Sequence, residues 1–301
     1  MKNLISKILI IVLIFSTLSV SARNHKRIKG CAELVTKTMP LEAFHTIKTQ
    51  QGIQVEITQK GGQQIEIEAN ENLMKYLSVR IDKGVLKAYL EEGSYSNIQI
   101  HIRVPFNPQI KSLVASSSGS IISRVTLSAP SILLRASSGA SISASAKCEN
   151  AQLTSSSCGR IHTVLHCKNT VQTNISSGSK VEGEIQCKVH NISASSSAQT
   201  YLKTISEQSS IEASSGAKID IEGKTENLHV SCCSSGATIL AQHLQARHAN
   251  LSASSGASIR SLCTELLNLE ASSGAYIGYQ GNATIGDIRV SSGAIVKKIE
   301  N

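Results

Sequence analysis

Two pairs of acids, Glu182 with Glu184 and Asp220 with Glu222, stand two residues apart, the spacing that puts both carboxylates of a pair on one face of a β-strand. Clustered carboxylates are the working groups of polysaccharide lyases and glycoside hydrolases, often beside Ca²⁺ or a nearby Lys or Arg. The supply here is thin, because the chain has only three aspartates, Asp82, Asp220 and Asp287. Serine is abundant, yet no G-x-S-x-G elbow or partnered His-Asp set accompanies it. No catalytic residue is assigned.

A metal site would have to come from His162, His166, Cys167, Cys187 and His190. His166 and Cys167 are adjacent and point to opposite faces of a strand, and the spacing matches no compact zinc pattern. The histidines are expected to face solvent, and neither metal nor cofactor is expected. Of the eight cysteines, Cys148, Cys167 and Cys187 recur at intervals of 19 and 20 residues. They share a small-residue column with Ala129, Ser206, Ala246 and Ala283, where cysteine serves as a small buried hydrophobe; a disulfide between vertical neighbours is the alternative. Cys233 is expected to point inward and Cys232 outward, which makes Cys232 the expected reactive thiol.

The elements that would hold these groups are set by a repeat. "ASSGAS" stands at 136 and 253, "ASSGAK" at 213 and "ASSGAY" at 271. Aligned on the glycine, ten copies fall at Gly119, Gly139, Cys158, Gly178, Ser197, Gly216, Gly236, Gly256, Gly274 and Gly293, 18 to 20 residues apart. Three positions after the aligned residue come Ile122, Ile142, Ile161, Val181, Thr200, Ile219, Ile239, Ile259, Ile277 and Val296, almost all aliphatic. Five positions before it come Val114, Leu134, Leu153, Thr173, Ile192, Ile211, Ser231, Leu251, Leu269 and Ile288. One position later, the column running from Ala115 and Arg135 through Cys232 to Arg289 shares no chemistry and is expected to face water. The alternation is that of strands.

A unit this short cannot bury its inner face alone and must stack on its neighbours. Leucine-rich repeats lack support for want of the L-x-x-L-x-L signature, and calcium-binding nonapeptides for want of Asp. The expected fold is all-β: a parallel β-helix, or β-solenoid, of about ten coils at ~4.8 Å spacing, roughly 45 Å long. The Ser-Ser-Gly step suits the corner, where small residues and φ > 0 are needed. At Cys158 and Ser197, which lack the glycine, the corner is expected to be altered. With no Trp, 3 Phe and 6 Tyr, the core must be closed by Ile, Leu, Val and Ala.

Ahead of the repeat, residues 1–22 combine two lysines, an apolar run over Ile8 to Phe15 and small residues before Arg23, the pattern of a secretory signal peptide. Its removal lowers the formal charge from +9 to +7. No later run reaches the ~20 apolar residues that span a bilayer. Residues 23–43 open with the basic "RNHKRIK" and are expected to be a solvated linker. No basic patch is interleaved with aromatics, so nucleic acid is not an expected partner.

Residues 44–112 carry "FHTIKTQQGIQVEITQ", "IEIEANENLMKYLSVRIDKGVLKAYL" and "IQIHIRVP", alternating strands broken by "KGG", "DKG" and "EEGS". They are expected to cap the open end of the solenoid, with the repeats filling 113–301. "EANENL", "DKGVLK" and "RVP" in this order, followed by Ser-Gly repeats, resemble the putative auto-transporter adhesin, head GIN domain family of exported proteins. The resemblance implies a right-handed β-helix and an adhesive role, and brings no catalytic residues. The expectation is therefore a non-catalytic exported solenoid, in the periplasm, on the outer surface or secreted, that binds a glycan, a matrix polymer or an envelope protein. The alternatives are a carbohydrate-active enzyme on the same fold and a structural element that stacks end to end. No outward column repeats a recognition residue, so no binding residue is assigned.

Overall fold

The computed structural model describes residues 27–59, 62–232 and 236–300; the signal peptide expected at 1–22 lies outside them. Strands dominate, and from Thr46 onward most pair in parallel and in register, as one coil stacked on the next. Each coil runs outward from the Ser-Ser-Gly corner as a strand of about eight residues, bends, and returns as one of about six. The coil with strands Arg160–Cys167 and Thr170–Ile175 shows this division. In other coils the bend is smooth enough for the strand to run on unbroken, as in Gln199–Ala213.

Two apolar ladders form the core, and pairing fixes their members. One runs Val55, Ile121, Ile142, Ile161, Val181, Thr200, Ile219, Ile239, Ile259, Ile277, Val296. The other runs Ile47, Leu113, Leu134, Leu153, Thr173, Ile192, Ile211, Val230, Leu251, Leu269, Ile288. Two copies of the repeat depart from the glycine alignment. In the first, Ser117 and Ser118 take the left-handed conformation (φ 47° and 62°) and Gly119 falls one place later. Ile121 and Leu113 are therefore the buried residues, not Ile122 and Val114, and Ala115 points inward. In the seventh, Cys232 pairs with Ala253 and lies buried while Val230 takes the ladder place expected of Ser231. Gly236 stands four positions after Cys232, where Gly256 stands three after Ala253. Glycine marks the corner, but a one-residue shift flips every side chain of a strand to the other face.

At the corner Ser138 (φ 52°) and Gly139 (φ 73°) both have positive φ, and Ala140 N–H donates to Ser137 O at 3.1 Å. This is a type I′ turn, so the serine before the glycine is also in left-handed backbone, a conformation that costs an ordinary residue about 1–2 kcal/mol. A bond between coils offsets it: the corner N–H donates to the next coil, as Gly139 does to Ser157 O at 3.0 Å. The expected alteration at Cys158 and Ser197 is not found. Their φ values are 61° and 60°, and their amides make the same coil-to-coil bonds. The stacked hydrogen bonds, rather than glycine, hold the turn.

The segment 44–112 contributes coils as well as a cap. Gln51 (φ 58°) and Gly52 (φ 73°) form one more corner, between Thr46–Thr49 and Gln54–Thr58, and Val85–Leu90 and Ile100–Pro105 stack in parallel outside that coil. Antiparallel strands close this end. Leu77–Asp82 pairs with Val85–Leu90, Gln64–Asn70 with Ile100–Pro105, and Leu34–Pro40 with Gln64–Asn70. The segment expected as a linker, 23–43, therefore contains a cap strand. Leu34–Pro40 reads "LVTKTMP", and the half-buried Val35 and Met39 of that alternation lie against the apolar side of Gln64–Asn70.

Candidate functional site

Coil stacking turns residues 19 or 20 apart into neighbours, and in doing so gathers the acids that the sequence spreads over two pairs. His162, Glu182, Tyr201 and Asp220 form one outward column; Val164, Glu184, Lys203 and Glu222 form the next. Arg160, Lys180, Gln199 and Lys218 flank them. His162, Gly183, Glu184, Tyr201, Leu202, Lys203, Asp220 and Glu222 line a groove of roughly 430 Å³.

Tyr201 stands near the middle of this face. It is the one aromatic residue between Phe106 and Tyr276, and it is 38% exposed. Lys180 Nζ lies 4.8 Å from its ring centroid and 2.6 Å from Glu182 Oε1, so the ring is held between a cation and the strand surface. Lys203 Nζ stands 3.9 Å from Glu184 Oε1. Four cationic and four anionic side chains stand around the tyrosine, the cations mostly in the flanking column, and the formal charges of the face cancel.

Gly183 lines the groove, and Gly223 follows Glu222 at its edge. Both have positive φ (138° and 113°), and a Cβ on either would overlap a carbonyl of the preceding coil, that of Thr163 or of Thr204. The backbone of one coil thus lies against the next where the carboxylates Glu182, Glu184 and Glu222 project.

The carboxylates are open to water: the side chains of Glu182 and Glu184 are 41% and 61% exposed, and Glu222 is exposed.

The histidines and cysteines do not converge. His162 and His166 are exposed, the latter 3.1 Å from Gln186 Oε1. His190, expected at the surface, is fully buried between the Thr173 hydroxyl (3.1 Å) and the Thr204 hydroxyl (3.2 Å), and burial pushes its pKa down to about 3. It fills a core rung beside Val171 and Ser209, where its ring supplies volume and its nitrogens satisfy two hydroxyls. No group of three metal-ligating residues forms among the described residues.

Cys148, Cys167 and Cys187 are buried free thiols, stacked on Ala129 as their spacing predicts, and the column continues through Ser206, Thr225, Ala246 and Cys263. Cys167 is held protonated by its hydrogen bond with Cys148 and by burial, and burial pushes Cys187 up to about 12. Cys232, expected to be outward and reactive, is buried with its sulfur 3.7 Å from Ala237 O. Cys233 lies outside the described residues. Among the described residues the exposed thiol is Cys158, at a corner.

The putative auto-transporter adhesin, head GIN domain family matches residues 43–202 and again 167–283, together most of the chain. The chain belongs to this family. Solved structures of similar fold include a putative adhesin from Parabacteroides merdae (18% identity, TM-score 0.51) that covers 91% of this chain and 99% of its own. Two others come from Parabacteroides distasonis: a putative adhesin (15%, TM-score 0.51) and a putative lipid binding protein (20%, TM-score 0.50). Each covers 91% of this chain and 100% of its own. No curated protein matches. At such identities the likeness establishes the fold shared with head GIN domain proteins, and the Tyr201 face is read from this chain's own residues. Sequence patterns missed it because Tyr201 occurs once; only the 19-residue offset, applied to the acid pairs, could have placed it between Glu182 and Asp220.

Proposed function

We propose that this head GIN domain protein is an exported, non-catalytic binding protein whose Tyr201 face holds a polyhydroxylated chain, a glycan. One observation carries the reading: an exposed aromatic ring in a groove, ringed by donors and acceptors of both signs. An aromatic face packs against the apolar face of a sugar ring while charged groups bond its hydroxyls. The balanced charge fits a neutral or zwitterionic glycan better than a polyanion. An apolar lipid tail would find few greasy walls on a face built from Arg, Lys, Glu and Asp. The family's adhesive designation and the signal-peptide pattern at the amino terminus support a role outside the cytoplasm.

The test is an array of immobilised neutral, amino-sugar and acidic glycans probed with the mature protein. Tyr201→Ala, and separately Asp220→Asn with Glu222→Gln, should weaken binding at least about tenfold, the equivalent of ~1.4 kcal/mol, with melting temperature kept. Binding unchanged in both variants would refute the assignment to this face. Release of new sugar ends from the bound glycan would replace it with the enzyme reading.

A further inference from the structure

The two ends of the solenoid are finished differently. At the amino-terminal end two strands pair on one side only: Leu34–Pro40, which carries Lys37 and ends in Pro40, and Leu77–Asp82, which carries Arg80 and Asp82, residues that discourage a further strand from pairing. At the other end Thr284–Val290 pairs on one side only, with Ser258–Ala271, and every one of its residues is exposed. Ile288 continues the ladder of Leu269, and Val290 continues the column of Ala271, yet they are 54% and 48% exposed. Among the described residues nothing covers this rung. It combines a free row of backbone N–H and C=O groups with an open core end.

The strand's own sequence, T-I-G-D-I-R-V, says what fits. In an antiparallel pair, directly opposite residues point to the same side of the sheet. A two-fold axis through Ile288 sets Ile288 against its own copy on the core side. On the outer side the same axis sets Asp287 of each chain opposite Arg289 of the other, twice over; a bulge at Gly286 and Asp287, which share Asn268 as neighbour, ends the regular pairing there. An axis through Asp287 instead would oppose two carboxylates. Around Ile288, from Asp287 to Arg289, the strand is self-complementary in charge and in its outward backbone groups. We propose that this end is an isologous interface, and that two copies of the chain join tail to tail through Thr284–Val290 to make one continuous β-sheet and one continuous core. The amino-terminal caps then lie at both ends of the doubled rod, which stops growth at two. The dimer would also present two Tyr201 faces on one rigid body, and so bind a surface with higher avidity than either face alone.

Sedimentation velocity on the mature full-length chain over a concentration series tests this. The parent should sediment as a dimer that dissociates on dilution. Ile288→Lys, at a position already half exposed, should be monomeric with unchanged circular dichroism. Arg289→Asp alone places carboxylates opposite each other and should raise the dissociation constant at least about tenfold; adding Asp287→Arg should restore it to near the parent value. A parent that stays monomeric at the highest concentration overturns the proposal. So does a dimer that withstands both Ile288→Lys and Arg289→Asp, or a charge-swapped pair that fails to recover.

Discussion

His190 makes the stability of this solenoid sensitive to acid. The ring is fully buried, with its nitrogens taken by Thr173 and Thr204, and burial disfavours the charged form enough to push its pKa down to about 3. In the unfolded chain the same ring titrates near 6.5, its ordinary value. Above that pH both states are neutral and the native state suffers nothing. As pH falls, the unfolded chain takes up a proton that the core refuses, so stability is lost at about 1.4 kcal/mol per pH unit. By about pH 5 the loss from this one residue is ~2 kcal/mol, and it keeps growing until the native ring itself protonates.

The assay is urea unfolding near pH 7 and near pH 5, on the parent and on a variant with His190→Leu, Thr173→Val and Thr204→Val. The two threonines are replaced along with the histidine so that no buried hydroxyl is left without its partner. Val171, Ser209 and the two threonines are the register and hydrogen-bond neighbours of the ring, and none titrates in this range. The parent should lose ~2 kcal/mol more than the triple variant between the two conditions. Equal losses in both proteins would show that His190 is protonated in the native state or is not buried, and the reasoning would fail.

Glycine variants should split by position. Gly183→Ala drives a Cβ into the Thr163 carbonyl and should lower stability by ~3 kcal/mol or more, whereas Gly256→Ser, with nothing within 4 Å of the new Cβ, should cost only the ~1–2 kcal/mol of left-handed backbone. Thermal melts of the two that coincide would contradict the close approach of coils at Gly183. A water-soluble maleimide should label Cys158 in the native protein well before Cys148, Cys167 or Cys187, as read by peptide mass mapping. Labelling led by the stacked cysteines would mean that the column opens in solution.

Much of the fold was legible without coordinates, for one physical reason. A repeat that returns every 18 to 20 residues with aliphatics at fixed offsets from a small-residue corner can bury its inner side only by stacking. That reasoning correctly placed Ile142 through Ile277 in one ladder and Cys148, Cys167 and Cys187 in another column. The corner at Gln51–Gly52 was equally available, since Ile47 and Val55 stand at the same offsets from Gly52, but glutamine hid it from an alignment built on serine.

Tertiary structure decided whatever depends on a shift of one residue or on contact between coils. A glycine identifies a corner, yet only the hydrogen bonds show that Ser118 rather than Gly119 occupies the turn of the first copy, or that Cys232 rather than Cys233 pairs with the inward Ala253. Pattern along the chain has a period of two, so an error of one residue inverts inside and outside and leaves no trace in composition. The same limit explains His190, whose neighbours Thr173 and Thr204 lie 17 and 14 residues away in sequence. It also explains the binding face. Glu182, Tyr201 and Asp220 are unremarkable where they stand in the chain, and become a site because stacking closes the 19-position offset from each to the next.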